Sequence, residues 1–156
     1  MKVFETEEYI DSLIDIVQKG HEVSLVVVGH SMEPFLVHER DSVLLSPIND
    51  PLQKGDIALF KREDGQYILH RIFDIRRDGF YFVGDNQNLC DIEGPIDGNQ
   101  IFAVVHKAKR HGIEIQETGL LWTFFKKPWL WAIKWRRYIK KLLGFKHLNK
   151  IVSRKK

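Results

Sequence analysis

The sequence predicts a mainly β fold, and three observations support this. Short runs of apolar, often β-branched residues follow one another closely, and turn-forming Gly, Pro, Asn and Asp separate them. One helical pattern precedes these runs, and a second begins only after residue 117. At 156 residues and 44% hydrophobic content, the chain is long enough to bury a core. We expect a domain over 1–116, with a helix at 6–19 and a β core at 23–116, followed by a helical tail over 117–156.

The first element is the helix at 6–19, which Thr6 can cap and Gly20 ends. A single helix is too little for a helix-turn-helix, so reading of DNA is not expected. We expect the helix to pack on the edge of the domain, and the alternative is a role in substrate docking. The apolar residues at helical spacing are Tyr9, Leu13, Ile16 and Val17.

The β core follows as a series of short strands. A hairpin is predicted across the turn at 63–65, and the polar residues 84–99, with three glycines and a proline, are predicted to form a loop. The predicted strands are 23–28, 42–45, 57–61, 67–75, 80–83, 101–109 and 113–115.

One stretch, 25–36 (LVVVGHSMEPFL), organises the candidate chemistry. Its apolar run predicts a buried strand that ends at Gly29, and Pro34 keeps a long helix from starting before it. Ser31 therefore follows the strand on a turn. A serine held in this way can act as a nucleophile, and the alternative is a serine that only turns the backbone.

Three further segments follow in order: 54–60 (KGDIALF), 69–72 (LHRI) and 84–86 (GDN), with Asp91 close behind. Together with Ser31-Met32-Glu33-Pro34, they resemble the successive boxes of the S24/S26 serine peptidases. That superfamily includes type I signal peptidases and LexA-type self-cleaving repressors. The resemblance covers roughly residues 24–106 and implies a signal-peptidase/LexA-like β catalytic domain.

The resemblance implies that Ser31 is the nucleophile and that His70 stands at the position of its base. Bacterial signal peptidases and LexA-type proteins use lysine there, whereas the endoplasmic-reticulum and archaeal-type signal peptidases use histidine. Histidine ordinarily has a pKa of about 6.5 and can accept a proton at neutral pH. Arg71 stays protonated and cannot act as a base. The alternative for His70 is a structural histidine of the strand.

A histidine base usually needs a carboxylate to orient it. In the resembled Ser/His branch, an aspartate of the 84–91 box has this role, and we favour Asp91. Asp85 would then hold the loop, although the two aspartates can exchange roles.

The turn residues Met32 and Pro34 match the family's Ser-Met-x-Pro turn, which presents the serine. Gly29 stands where bacterial signal peptidases place a hydroxyl, so the oxyanion would rely on the N–H of Ser31 and a second backbone amide. We assign Gly29, Met32 and Pro34 to the substrate-binding region.

No cofactor or metal is expected. The histidines outside the 69–72 segment show no zinc-motif spacing, and the single cysteine, Cys90, cannot form an internal disulfide. We expect Cys90 to be inert and His30 to have no role in the chemistry.

The net charge of +3 hides an asymmetry. Residues 107–156 hold 15 Lys/Arg and two acids, whereas residues 1–106 hold nine Lys/Arg and 19 acids. In the tail, Pro128 fits the first turn of a helix that carries an aromatic stripe and a basic stripe, as interfacial membrane helices do. We expect this face to contact an anionic membrane surface; the alternatives are packing on the β domain, or a nucleic-acid or protein partner. The stripes consist of Trp131, Trp135, Tyr138, Ile139 and Leu142, and of Lys134, Arg137 and Lys141.

The sequence thus predicts a serine endopeptidase that cleaves a precursor or leader peptide. No secretory signal or spanning apolar run is visible, so we expect a cytoplasmic location, peripheral to the inner membrane face. A different class of function is a non-catalytic peptide-binding or membrane-associated module that keeps the fold. A self-cleaving, repressor-like regulator is less expected, since only about 20 residues precede the core.

Overall fold

A computed structural model describes residues 3–143, which form a mainly β structure built on an eight-stranded antiparallel sheet. The sheet has the strand order β1-β2-β7-β3-β4-β5-β6, and β8 pairs with β7. A helix, α1 (Val3–Gln18), precedes the sheet, and short helices follow it. The strands are β1 (Val23–Val26), β2 (Ser42–Ser46), β3 (Ile57–Lys61), β4 (Tyr67–Arg76), β5 (Gly79–Val83), β6 (Glu93–Ile96), β7 (Ile101–Arg110) and β8 (Ile113–Gln116).

The centre of the sheet is β3, whose residues Ile57 to Phe60 are all buried. It lies between β4 and β7, and β7 contacts β2 along its other side. A strand buried on both faces reads as a continuous apolar run, as the predicted strand at 57–61 does. Most predicted strand ends lie within one residue of the observed ones. Strand β1 ends at Val26 rather than at residue 28, although Val27 continues to bond the backbone of Asp41.

The helix α1 packs on the sheet through Ile10, Ile14 and Val17, which are at most 7% exposed. Of the predicted apolar face, Val17 is buried as expected, whereas Tyr9 and Ile16 are 53% and 40% exposed. The observed face has the i, i+4, i+7 spacing of a core-facing stripe, and the exposed Tyr9 does not belong to it.

The strand β6 lies inside the region predicted to be a loop. It pairs with β5 through Phe82 opposite Glu93 and Phe80 opposite Ile96. Gly94 and Pro95 make the segment resemble a loop, because proline cannot donate to a ladder and glycine weakens a strand. An edge strand tolerates proline, because its missing N–H donor can face away from the neighbouring strand. Strand β6 is such an edge, since it is the last strand in the order.

The chain after β8 folds as α2 (Leu120–Phe124), a π-helical segment (Phe125–Trp129), a short 3₁₀ turn (Ala132–Lys134) and α3 (Arg136–Leu142). It is therefore a broken helix, and Pro128 lies inside the π-helical segment rather than in the first turn of a helix. This fits the missing N–H of proline, which interrupts the regular ladder. The tail prediction also covered 144–156, which lie outside the described residues. Within residues 3–143, no helix is long and apolar enough to cross a membrane.

Candidate active site

A cleft of about 450 Å³ runs between two strand edges and the helix α1, and we call it the Ser31 cleft. One wall is formed by the residues from Leu25 to Gly29, and the other by Gln66 and the first residues of β4, up to His70. Tyr9 and Ile10 of α1 also line it, and Tyr67 donates its hydroxyl proton to Asp11 of the same helix. The cleft is mostly apolar, and Ser31 lies in its lining beside His70.

The turn after β1 places Ser31 at the cleft. Gly29 has a φ of +95°, a conformation that glycine adopts without the strain a Cβ would bring. The N–H of Gly29 donates to Nδ1 of His38 at 2.9 Å. After Ser31, Met32 and Phe35 are 2% and 0% exposed, so they anchor the turn in the core. The chain is therefore held before Ser31 by the Gly29–His38 hydrogen bond and after it by buried side chains.

The loop after β5 packs against the back of this turn. The N–H of Asn86 donates to the carbonyl of Ser31 at 2.8 Å, and its side-chain amide donates to the carbonyl of His30 at 3.0 Å. Gly84 lies so close that a Cβ built on it would be 2.4 Å from the Ser31 carbonyl oxygen. Glycine is therefore required at residue 84 by contact rather than by its φ angle.

His70 lies in β4 opposite Ala58 and is 3% exposed. Its Nε2 is 2.9 Å from the Oγ of Ser31, which is hydrogen-bond distance. The rings of His70 and the buried Phe60 also pack edge to face, with centroids 6.3 Å apart. The two residues that the sequence pairs as nucleophile and base are therefore in direct contact.

The carboxylate that contacts His70 is Glu93 of β6. Its Oε1 is 3.1 Å from the Nδ1 of His70. Arg62 of the β3–β4 hairpin donates to both oxygens of the same carboxylate, at 2.6 and 2.9 Å. Burial acts to raise the pKa of Glu93, but the bonds from His70 and Arg62 outweigh burial and lower this pKa to about 2. The group is thus held as a carboxylate.

The prediction that Asp91 or Asp85 orients His70 is wrong. Asp91 accepts a bond from the N–H of Asn88 at 2.8 Å and caps a short 3₁₀ turn. Asp85 is fully buried and accepts two bonds from Arg71, at 2.9 and 2.8 Å. The expectation that Asp85 holds the loop agrees with this buried pair. Glu93 was missed because its segment was assigned to a loop, and its only sequence signal is a lone carboxylate between Ile92 and a Gly-Pro pair.

The C-terminal segment braces the loop 84–87, and sequence reasoning missed this as well. Arg136 is fully buried and donates to the carbonyls of Gly84 and Gln87, at 2.9 and 3.2 Å. Trp129 donates its indole N–H to the Asp85 carbonyl at 2.9 Å, and Lys140 donates to the Asn86 carbonyl at 2.7 Å. Burial lowers the pKa of Arg136 to about 10, despite the opposing attraction of Asp85.

The other predicted site residues separate into two groups. Gly29 and Met32, which were predicted to be substrate-binding residues, line the Ser31 cleft. Pro34, which was predicted together with them, lies instead in the wall of another groove, where its carbonyl accepts a bond from Arg110. His30 contacts Glu33 at 2.8 Å, and Cys90 is exposed. Within residues 3–143, no three potential ligand side chains cluster as a metal site would require.

The chain was compared with the models of known protein families. The model of the family described as Peptidase S24-like matches residues 2–106, about two thirds of the chain. The matched residues include Ser31, His70 and Glu93, whereas the bracing residues of the C-terminal segment lie beyond them. No curated protein matches the chain. The match and the mainly β antiparallel architecture agree, and the chain belongs to the Peptidase S24-like family.

Proposed function

We propose that this peptidase-fold protein is a serine endopeptidase in which Ser31 is the nucleophile, His70 the base and Glu93 the residue that orients the base. The observation that carries the proposal is the hydrogen-bonded series from the Ser31 Oγ through both nitrogens of His70 to Glu93. A serine hydroxyl is a weak nucleophile on its own, so a contacting base is the arrangement that its chemistry requires.

In this mechanism, the Oγ of Ser31 attacks the scissile carbonyl carbon while the Nε2 of His70 takes its proton. The tetrahedral intermediate collapses as His70 returns that proton to the leaving amine nitrogen, which leaves an acyl-enzyme. Water then attacks the ester, again with His70 as base, and the acid product and the Ser31 hydroxyl are released. Glu93 accepts the Nδ1–H of His70, which fixes the tautomer that leaves Nε2 free to accept.

The oxyanion would be stabilised by the N–H of Ser31. Within residues 3–143, this N–H has no hydrogen-bond partner, so it is free to donate to a developing negative charge. Gly29 offers no side-chain hydroxyl, and its own N–H is engaged with His38. We propose that the second donor is a backbone amide of the turn or of the substrate strand.

The cleft favours an extended peptide as substrate. Val27 bonds the backbone of Asp41 and of Glu39, so the neighbouring peptide groups of Val26 and Val28 point to the other side, toward the cleft. In β4, pairing with β5 begins only at Arg71, so the edge from Tyr67 to Leu69 is unpaired on its cleft side. A peptide strand added between these two edges would bond both of them.

We further propose that the substrate is a precursor or leader peptide processed on the cytoplasmic side of the membrane. An apolar cleft with polar backbone along its edges suits a short apolar segment next to a cleavage site. Cell fractionation checks the location: the processed product should first occur in the cytoplasmic fraction, with the enzyme there or bound to the cytoplasmic face of the membrane. Detection of the product only outside the membrane would contradict the proposal.

The activity is tested by incubating the full-length protein with a proteome-derived peptide library and identifying new termini by mass spectrometry. A cleaved peptide then serves to measure kcat/KM. We expect Ser31→Ala and His70→Gln to lower kcat/KM by at least about 10³-fold. Glu93→Gln should lower it by at least about 10²-fold, since the amide can present the wrong hydrogen-bonding group to Nδ1.

Asp91→Asn is the matched control, because it changes a nearby carboxylate that does not contact His70, and it should change kcat/KM less than about two-fold. Cleavage that persists in Ser31→Ala would reject the mechanism. If no peptide is cleaved while Ser31→Ala and wild type enrich the same peptides equally, the protein is a peptide-binding module that keeps the fold. The unpaired edges of the cleft are what favour that second candidate.

A further inference from the structure

We infer that the exposed side of residues 120–143 is a docking surface for an anionic lipid bilayer, and we call it the tail surface. The proposal is independent of the peptidase activity, because none of the residues that form this surface lines the Ser31 cleft. Its basis is the combination of exposed aromatic rings, exposed cations and a rigid attachment to the protein body.

The opposite side of the same segment is firmly packed. Trp122, Phe125 and Trp129 belong to the main hydrophobic core, and Leu130 and Ile133 pack with Val83 of β5. All five side chains are at most 6% exposed. The segment therefore already has a buried face, and the residues on its other side have no packing role in the described structure.

The exposed side carries large apolar groups. Trp131, Trp135 and Tyr138 are 77%, 64% and 62% exposed, and Leu142 is 85% exposed. All four lie between residues 131 and 142, and the rings of Trp135 and Tyr138 lie 6.2 Å apart. Large exposed apolar groups that cluster in this way mark an interaction surface. Tryptophan and tyrosine are the side chains enriched where membrane meets water.

Cations accompany these rings. Lys127, Lys134, Arg137 and Lys141 are exposed, and none of the four forms an ion pair within residues 3–143. The sequence has no Asp or Glu after Glu117. The other cations of the segment, Lys126, Arg136 and Lys140, are engaged within the protein. The surface is therefore cationic without internal compensation.

The mixture of groups favours a bilayer over other anionic partners. A nucleic acid would pair with the cations but would leave the aliphatic Leu142 and Leu143 exposed to water. A bilayer with anionic headgroups accepts both kinds of group, since apolar side chains enter the acyl boundary while lysines and arginines stay at the headgroups. Each cation near an anionic membrane strengthens binding by roughly five-fold, so four favour anionic over neutral lipid by roughly several hundred-fold.

The test is sedimentation of the full chain with vesicles of phosphatidylcholine alone and with vesicles that also contain about 30% phosphatidylglycerol, an anionic lipid whose surface charge attracts Lys and Arg. We expect at least 100-fold stronger partitioning onto the anionic vesicles at low salt, weakened as salt is added. The tryptophan emission should shift to the blue on binding. The double variants Trp131→Ser/Trp135→Ser and Lys134→Glu/Arg137→Glu should each lower partitioning at least ten-fold, and the first should also abolish the shift.

The matched control is Lys109→Glu/Ile113→Ser, which removes an exposed cation and an exposed apolar side chain outside this segment. It should bind vesicles as the wild type does, and all variants should keep the wild-type melting temperature within about 3 °C. Equal partitioning onto neutral and anionic vesicles would overturn the proposal. So would equal losses in the control and the tail variants, a tighter affinity for a DNA or RNA oligonucleotide, or a dimer in solution that Trp131→Ser/Trp135→Ser separates.

Discussion

The contact between Gly84 and Ser31 can be tested by adding one methyl group, in Gly84→Ala. The added Cβ would be 2.4 Å from the Ser31 carbonyl oxygen and 3.0 Å from its carbonyl carbon and its Cβ. These are largely backbone atoms, so no flexible side chain can rotate away. Gly84 does not have a positive φ, so the substitution introduces a clash without an added conformational penalty.

The size of the effect follows from the distances. Ordinary contacts to a Cβ begin near 3.4 Å, so the Ser31 backbone has to move by about 1 Å. The Oγ of Ser31 is 2.9 Å from its partner on His70, and such a shift takes that contact beyond hydrogen-bond length. A misplacement of about 1 Å in reacting groups costs roughly 10²-fold in rate. Overpacking a tight site destabilises the fold by about 1–3 kcal/mol.

The assay is kcat/KM on a cleaved library peptide, together with urea denaturation of the same samples. We expect a loss of roughly 10²-fold in kcat/KM, mostly in kcat, while the variant still unfolds cooperatively. Gly98→Ala is the matched control, because a Cβ there would meet only Phe80, at 3.8 Å. It should leave kcat/KM and the free energy of unfolding close to the wild-type values.

The reasoning is refuted if Gly84→Ala folds with wild-type stability and cleaves at the wild-type rate, since the turn would then absorb the methyl group without moving Ser31. A loss of activity in Gly98→Ala of the same size would also refute it, because the effect would then not depend on contact with the nucleophile. A crystal structure of Gly84→Ala should show the Ser31–His70 distance increased.

Three further predictions concern the surroundings of the site. The pKa of Glu93 is lowered from 4.5 to about 2 in the folded protein, so its stabilising effect is present above pH 4.5 and is lost as the pH falls through about 2; urea titrations should show the wild type losing about 2 kcal/mol more than Glu93→Gln between pH 5 and pH 3. Asp85→Asn leaves the buried Arg71 without its charge partner and should lower the free energy of unfolding by about 3–5 kcal/mol, and an unchanged midpoint would contradict this. In thermal melts, Trp122→Ala should cost about 3–5 kcal/mol because the side chain is 1% exposed, whereas Trp131→Ala, at a residue 77% exposed, should cost less than about 0.5 kcal/mol.

The sequence predicted the β core well because most strands carry a strong local signal. The run at 57–61 and the hairpin that returns His70 beside Ala58 are both set by apolar runs and by a Gly-containing turn. The contact of Ser31 with His70 spans 39 residues, and periodicity alone does not predict it. The contact was predicted only from the resemblance, because the order of the family segments indicates which distant residues meet.

The carboxylate beside His70 could not be predicted in the same way. Glu93 reaches the histidine because β6 pairs with β5, and the local sequence around Gly94 and Pro95 argues against a strand. Its place depends on a non-local ladder that stabilises an unfavourable segment. The resemblance favoured an aspartate of the 84–91 box, but Asp85 is held by Arg71 and Asp91 caps a turn.

The tail shows a different limit of sequence analysis. Its aromatic and basic residues predicted an amphipathic helix that begins at Pro128, but the segment is a broken helix in which Pro128 lies inside a π-helical part. Trp122 and Trp129 pack inward, while Trp131 and Trp135 face outward. Which tryptophans are buried depends on the surface of the sheet that receives them and on the irregular helix at Pro128. Helical spacing by itself does not carry that information.

The brace from Arg136 to the loop 84–87 bears on how relatives of this protein should be compared. The residues that match the family end at 106, but the carbonyls of Gly84 and Gln87 are held by a side chain 30 residues further along. Two proteins can therefore share every matched residue and still differ in what holds the turn that carries Ser31. A comparison of relatives should therefore extend beyond residue 106, because the contacts that hold the loop 84–87 behind Ser31 come from there.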